Sequence, residues 1–390
     1  MALDFQQVYT KIKEIGANVQ QRKKILEERR AKARTLLNIY ADALDVLRDK
    51  VESAKAADPA LRCALPLKER LDSHFPPPDL PLNATLVAAD GSQIFPDRHG
   101  QVQYYLINVG AIAMALGSGK TPQIFIDTKL YYGDDEIEIP SEGQVALQRD
   151  LAERRKLLEI SKEISGTVIT FTEGQIELWG SLENQNKGSF EENLQDYLNV
   201  LYDLKVHGVI TSGYVDKPGA NWFIRLLEIA EFPQTDLESL RDYRPLLGVT
   251  DLWLFSQLLG EHERSAVFSL EAKSAQKYKD SLSIHFFYLN IGDENHPAIG
   301  RVDIPLWVAQ DEIKLNALHQ SLIEQSRIMG NKPFPYLLHR AHEIAVVSHQ
   351  EKNQLDQMLI MEIYNNQGEV NKTSGKKSAK DLPGQTRYKA

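Results

Sequence analysis

Only one cysteine, Cys63, occurs in 390 residues. That excludes an internal disulfide and a zinc site built from thiolates of this chain, so any metal must be held by carboxylates and imidazoles, which favours Mg²⁺ or Mn²⁺. No run of about 18 apolar residues is present to span a bilayer. The opening MALDFQQVYTKIKEI also lacks the apolar stretch of a signal peptide, so a cytoplasmic protein with no membrane partner is expected. Positive charge is not in excess: the net charge of -9 excludes a surface basic throughout and leaves any basic groove or helix to be found locally. Two catalytic signatures are missing as well. Ser92 lies in DGSQ rather than in a G-x-S-x-G elbow. The segment GSGKT, Gly117 to Thr121, ends like a phosphate-binding loop, but Met114 occupies the position of its first glycine.

What is present reads as an α/β protein. Phe5, Val8, Ile12, Ile15 and Val19 alternate spacings of three and four, a heptad seam, and Leu37, Tyr40, Leu44, Leu47 and Val51 form a second. Both suit either a dimer or an intramolecular hairpin. Between them QRKKILEERRAKAR carries Arg22, Lys23, Lys24, Arg29, Arg30, Lys32 and Arg34; a solvated helix face is the simpler expectation, a DNA or partner contact the sharper one. Residues 1–74 are thus expected to be a helical region, with the proline-rich FPPPDLP, Phe75 to Pro81, leading into the main domain. Lysine-rich residues 371–390 have too little apolar content to fold and are expected to be a disordered tail.

In the main domain Ala84 to Ala89 predicts a strand ending in a turn at Asp90-Gly91-Ser92. Further strands are expected at Val102 to Ile107, at Ile124 to Ile126 with Lys129 to Tyr132, and at Ile137 to Ile139. Helix is expected over Gln144 to Ile164, strand over Val168 to Phe171, helix over Asn193 to Lys205 and strand over Val209 to Thr211. Pro233 to Lys279 reads as mostly helical, followed by a hairpin, Ser283 to Asn290 with Arg301 to Val308, and helices at Ala309 to Met329 and Tyr336 to Ile363. Meander, helix, strand, helix, strand is the chain order of a ribonuclease H-like mixed sheet flanked by helices.

Two-metal cleavage of a phosphodiester needs several carboxylates converging on cations roughly 4 Å apart. Asp90 and Glu173 each follow an apolar strand and precede a glycine, and Glu153 lies on the helix between them. Each has a plainer alternative. Asp-Gly-Ser is a common turn, and Glu153 could pair with Arg149, Arg154 or Arg155 on a solvated helix face. His342, in PYLLHRAHEIAVVSHQ, lies at the border of an apolar helix side, where a packed core histidine is the commoner outcome and a metal ligand the functional one.

LVAADGSQ, QRDLAERRKL, VITFTEGQIELW, GVITSGYVDKPGA and FPYLLHRAHEIAVV together resemble the blocks of the NurA nuclease domain, over roughly Leu86 to Leu359. The resemblance implies a nuclease domain over 82–365, with metal ligands at Asp90, Glu173 and His342, a further acidic residue at Glu153, and a basic residue at Lys217, with Tyr214 as the alternative. Glu173 stands where the family usually has aspartate. Also implied are Mn²⁺ dependence, cleavage of single- and double-stranded DNA ends in recombinational repair, a homodimer, and a HerA-type hexameric ATPase as partner. The departure at Glu173 leaves a second reading: a catalytically weak DNA- or translocase-binding subunit of the same fold.

Overall fold

The computed structural model describes residues 3–78, 83–132, 140–179, 187–233 and 237–366. The chain forms two compact units, one from 1–81, 174–176 and 212–334, the other from 82–173, 177–211 and 335–390. The N-terminal residues therefore share a unit with a long insertion from the middle of the chain, and the proline-rich stretch is one of several crossings. The expected strand at Ile137 to Ile139 and the tail 371–390 lie outside the described residues.

In the first unit the N-terminal half is helical, at Phe5–Ala17, Val19–Tyr40 and Leu44–Ala57. The second seam buries Leu37, Leu47 and Val51. The first buries nothing: Phe5, Val8, Ile12, Ile15 and Val19 are all exposed along the Phe5–Ala17 helix and its exit. Nor is region 1–74 wholly helical, because Arg62–Pro66 is a strand paired antiparallel with Phe268–Ala272. Antiparallel pairing then continues through Ile284–Asn290 and Ile299–Pro305 to the outer half of Ile210–Asp216. The expected hairpin is thus present. The expected helical character of Pro233 to Lys279 is not: among the described residues only Asp251–Leu258 is α-helix there, and Phe268–Ala272 alternates buried and half-buried residues as a strand.

The basic helix is docked within the same unit rather than solvated throughout. Arg30 and Arg34 stand 4.8 and 5.4 Å over the Trp253 ring, and Lys32 pairs with Glu231 at 2.8 Å. Arg22, Lys23 and Lys24, a turn or more earlier, are exposed. The aromatic face and the carboxylate that hold the later residues lie more than 190 positions away in sequence, which no helical wheel reveals.

The second unit is labelled here in chain order: β1 Thr85–Ile94, β2 Tyr104–Ala115, β3 Gln123–Tyr132, α1 Glu142–Lys162, β4 Val168–Glu173, α2 Lys187–Val206, α3 Tyr336–Ala345 and α4 His349–Asn365. Its strands run in the order β4-β1-β2-β3. The first three form an antiparallel meander, and β4 lies parallel to β1, reached through α1 as a parallel return requires. Helices cover the sheet, so the mixed α/β, ribonuclease H-like class expected from the chain order is the one observed. The GSGKT segment is the turn between β2 and β3, with Gly117 and Gly119 at φ of 65° and 67°, and no helix follows it to hold a phosphate.

Two local expectations are corrected. Asp90-Gly91-Ser92 is not a turn: β1 runs through it, paired with β2 over ten residues. The helix expected over Tyr336 to Ile363 breaks at Val346 and Val347, because Ser348 and Glu351 form a capping box that starts α4 afresh. The break lets α4 lay Leu355, Leu359, Ile360 and Ile363 on a cluster of Ile94, Val102, Tyr104 and Leu106. Among the described residues no helix is long and apolar enough to cross a membrane.

Candidate metal centre

Strand pleating decides which side chains meet. Along β1 successive residues face opposite sides, so Asp90 and Ser92 share one face while Gly91 and Gln93 share the other. In the parallel pairing Ala89 lies beside Thr172, and one step further puts Asp90 beside Glu173, the last residue of β4. The repeated pattern of strand, acid and glycine is thus two neighbouring strands reaching the same level. Gly174, at φ 89°, turns the chain away immediately afterwards.

Helix α3 lies over the Asp90 face. Leu337, Leu338, Ala341 and Ala345 are buried, which leaves His342 at the edge of the packed side, its side chain 57% exposed. Its Nδ1 is 2.7 Å from Asp90 Oδ2. One ligand atom each from Asp90, Glu173 and His342 fall within 4.8 Å of one another. Two carboxylates and an imidazole from three elements, half-buried or exposed, form a donor set that fits a hard to borderline divalent cation such as Mn²⁺ or Mg²⁺. The packed core histidine is therefore not the observed arrangement at His342.

Glu153 occupies the other side of β1. A Cβ added at Gly91 would stand 2.6 Å from Arg149 Cγ and 2.8 Å from Glu153 Oε1, so α1 packs directly on the glycine. Glu153 is 6% exposed, which overturns the solvated pairing as its whole account, although Arg149 Nε does lie 3.4 Å away. Arg154 is buried instead against Tyr197 and Thr211, and Arg155 pairs with Asp196. Burial, reinforced by the negative charges of Asp150 and Asp90, pushes the Glu153 carboxyl well above the usual carboxylate range. Glu153 is not in the three-residue cluster.

Lys217 belongs to the first unit, where it is exposed at a φ of 45°. Tyr214, the alternative, is completely buried in that unit, edge-on to Phe334 and beneath Gly300. It packs as a core residue.

Sequence reasoning passed over the residues that seat α3. Opposite Asp90 on β2 is Gly110, and opposite Ser92 is Asn108. Ser92 Oγ and Asn108 Nδ2 both donate to the Ala345 carbonyl at the end of α3, and Thr128 of β3 donates to Asn108 Oδ1 at 2.6 Å. A Cβ at Gly110 would lie 2.5 Å from Ala345 N and 2.8 Å from Ile344 C, both backbone atoms that cannot rotate aside. The signal was the register of the hairpin, which becomes readable only once β1 is known to continue through the Asp-Gly-Ser. Gly110→Ala is accordingly expected to lift α3, moving His342 from Asp90, and to lower any turnover at this site about 100-fold while the protein stays folded. Initial rates and a melting curve on the purified variant check this; parental turnover would show that α3 does not depend on that contact.

The model of the NurA domain matches residues 84–347. No curated protein matches the chain. Among solved structures, the NurA nuclease from Sulfolobus solfataricus aligns with a TM-score of 0.48 at 12% identity, covering 85% of this chain and 98% of that one. The catalytic domain of human endonuclease V aligns with a TM-score of 0.32 at 11% identity, covering 82% and 98%. The T. thermophilus RuvC bound to a Holliday junction substrate gives 0.16 at 14% identity, covering 41% and 91%. With the family model spanning well over half its length, this chain belongs to the NurA family of nucleases.

Proposed function

We propose that this nuclease is a metal-dependent deoxyribonuclease that hydrolyses phosphodiester bonds at DNA ends, with Asp90, Glu173 and His342 as ligands of Mn²⁺, or of Mg²⁺. The observation that carries the reading is the convergence of those three ligand atoms within 4.8 Å. When bound, a divalent cation supplies an activated water and neutralises the developing charge on the leaving oxygen. The chain's own part is to hold its acids ready. Asp90 and Glu173 present two carboxylates from adjacent rigid strand positions, and His342 meets them from α3. Glu153 stands behind Gly91, where it lies 3.4 Å from Arg149 Nε and helps hold that side chain against β1. Lys217, an exposed cation, is assigned to steadying the DNA backbone.

Incubation of the full chain with labelled single- and double-stranded DNA in Mn²⁺, Mg²⁺ or EDTA tests the reading. Cleavage with Mn²⁺ and none with EDTA is expected. DNA retention without cleavage in all three would instead support the catalytically weak binding subunit, to which glutamate at position 173 points.

The same proposal places the protein in the cytoplasm, in double-strand break repair, as a homodimer working with a HerA-type hexameric ATPase. The exposed stripe Phe5, Val8, Ile12, Ile15 and Val19 suits a docking role. Because the Phe5–Ala17 helix buries no residue, deleting residues 1–17 should leave the melting temperature unchanged while altering oligomer size or stimulation by the ATPase. Light scattering and coupled cleavage assays read this out, and parental values in both would remove the docking role.

A further inference from the structure

Strand β3 ends the sheet of the second unit, and among the described residues nothing pairs with its outer side. Sheet edges are commonly blunted by proline, a bulge or several charges. This one has no proline, its pairing with β2 is regular from Gln123 to Tyr132, and Asp127 and Lys129 are its only charged residues. Ile126 lies opposite Gly110, so it shares the face that α3 covers over β1 and β2. On β3 that face is bare. Ile124, Ile126, Leu130 and Tyr132 alternate along it at 55%, 63%, 43% and 54% exposure, with the exposed Thr128 at their centre.

The edge is also complementary to itself. A twofold axis normal to a sheet sets two copies of an edge strand antiparallel with like faces on the same side, so it passes through a residue that opposes itself. An axis at Asp127 or at Lys129 would oppose like charges. An axis at Thr128 sets Asp127 against Lys129 of the second copy, twice over by symmetry, and extends the 3.7 Å pair within each strand to four alternating charges. The same register opposes Ile126 to Leu130, Ile124 to Tyr132 and Phe125 to Tyr131, which are apolar pairs on both faces.

We propose that β3 pairs with β3 of a second copy of this chain about a twofold axis at Thr128, joining the two sheets into one. The inference rests on the homodimer reading above and names its surface. Because the axis keeps like faces together, the Asp90 faces of both copies lie on the same side of the joined sheet.

The test is cross-linking of the full chain carrying Thr128→Cys. Opposed Cα atoms of antiparallel strands stand about 4.5–5.5 Å apart, within the reach of a disulfide, while the native Cys63 is buried. Mild oxidation is expected to turn the bulk of this variant into a covalent dimer. Ile126→Cys, about 14 Å from its own copy in this register, is expected to stay uncrosslinked. Light scattering over a dilution series gives a second measurement, which decides should Thr128→Cys not fold. Asp127→Lys is expected to raise the dimer dissociation constant about tenfold, and adding Lys129→Asp to restore it. A dimeric parent with no cross-link in folded Thr128→Cys, or with an unchanged constant in Asp127→Lys, overturns the proposal and spares the homodimer reading. A monomeric parent overturns both and leaves the edge to a strand of another protein.

Discussion

Asp90→Ala and His342→Ala should each lower DNA cleavage by about 1000-fold or more, with the double variant scarcely worse than either, because ligands of one centre fail together. The fold should survive both changes. The Asp90 to His342 contact involves a side chain 57% exposed, so its loss costs stability little. Position 173 separates the two readings of the protein. Glu173→Ala removes a proposed ligand and should match the loss at Asp90, whereas Glu173→Asp puts the residue that the resemblance leads one to expect there on a shorter arm and should keep measurable turnover. Initial rates on end-labelled duplex, with melting curves on the same preparations, supply the comparison. Parental rates for both Asp90→Ala and Glu173→Ala, after contaminating nucleases are removed, would place the chemistry elsewhere.

The largest expected effect on stability lies in the first unit, at a residue unrelated to cleavage. Asp251 is completely buried and accepts the backbone N–H groups of Phe223 and Ile224, at 2.9 and 2.8 Å, and the hydroxyl of Tyr288. One carboxylate thus caps the start of a neighbouring helix and satisfies a buried phenol. Asp251→Ala would leave three buried donors without partners, at about 1–3 kcal/mol each, so a loss of about 4 kcal/mol is expected. Burial raises the carboxyl to about 6 from 3.8, against the pull of Tyr288 and the two amides. A raised folded value means that the folded state keeps the proton longer than the unfolded chain does. This group's contribution is therefore full below about pH 4 and is lost as the pH rises through about 6. Asp251→Asn, which resembles the protonated acid, should flatten that part of the stability profile. Denaturant titrations across pH 4 to 7 test both variants; an unchanged slope in Asp251→Asn would show that another group titrates there.

How much of this could be read from the sequence depended on whether the controlling partner was local. Helix α1, strand β4 and the hairpin Ile284–Asn290 with Ile299–Pro305 were legible from apolar periodicity and turn residues, which act over a few positions. The Asp-Gly-Ser segment misled because its dipeptide chemistry favours a turn, while ten residues of pairing with β2 hold it extended. The region 233–279 misled for a related reason: Phe268–Ala272 becomes a strand through partners on both sides, at Arg62–Pro66 and Ile284–Asn290.

At the proposed metal centre, Asp90, Glu173 and His342 could be picked out as candidates because each sits in a short patterned block. Their meeting could not be, since it requires the β1–β4 register and the seating of α3 on Gly110. Glu153 was found as an acid but not as a buried one, because the space that receives it is created by the missing side chain of Gly91.

The most direct test of the central claim is crystallographic: the protein grown with Mn²⁺ and measured at a wavelength where manganese scatters anomalously. The account predicts an anomalous peak bonded at about 2.0–2.3 Å to carboxylate oxygens of Asp90 and Glu173 and to a ring nitrogen of His342, absent from crystals of Asp90→Ala. A peak elsewhere, or none at these three residues at saturating Mn²⁺, would contradict it.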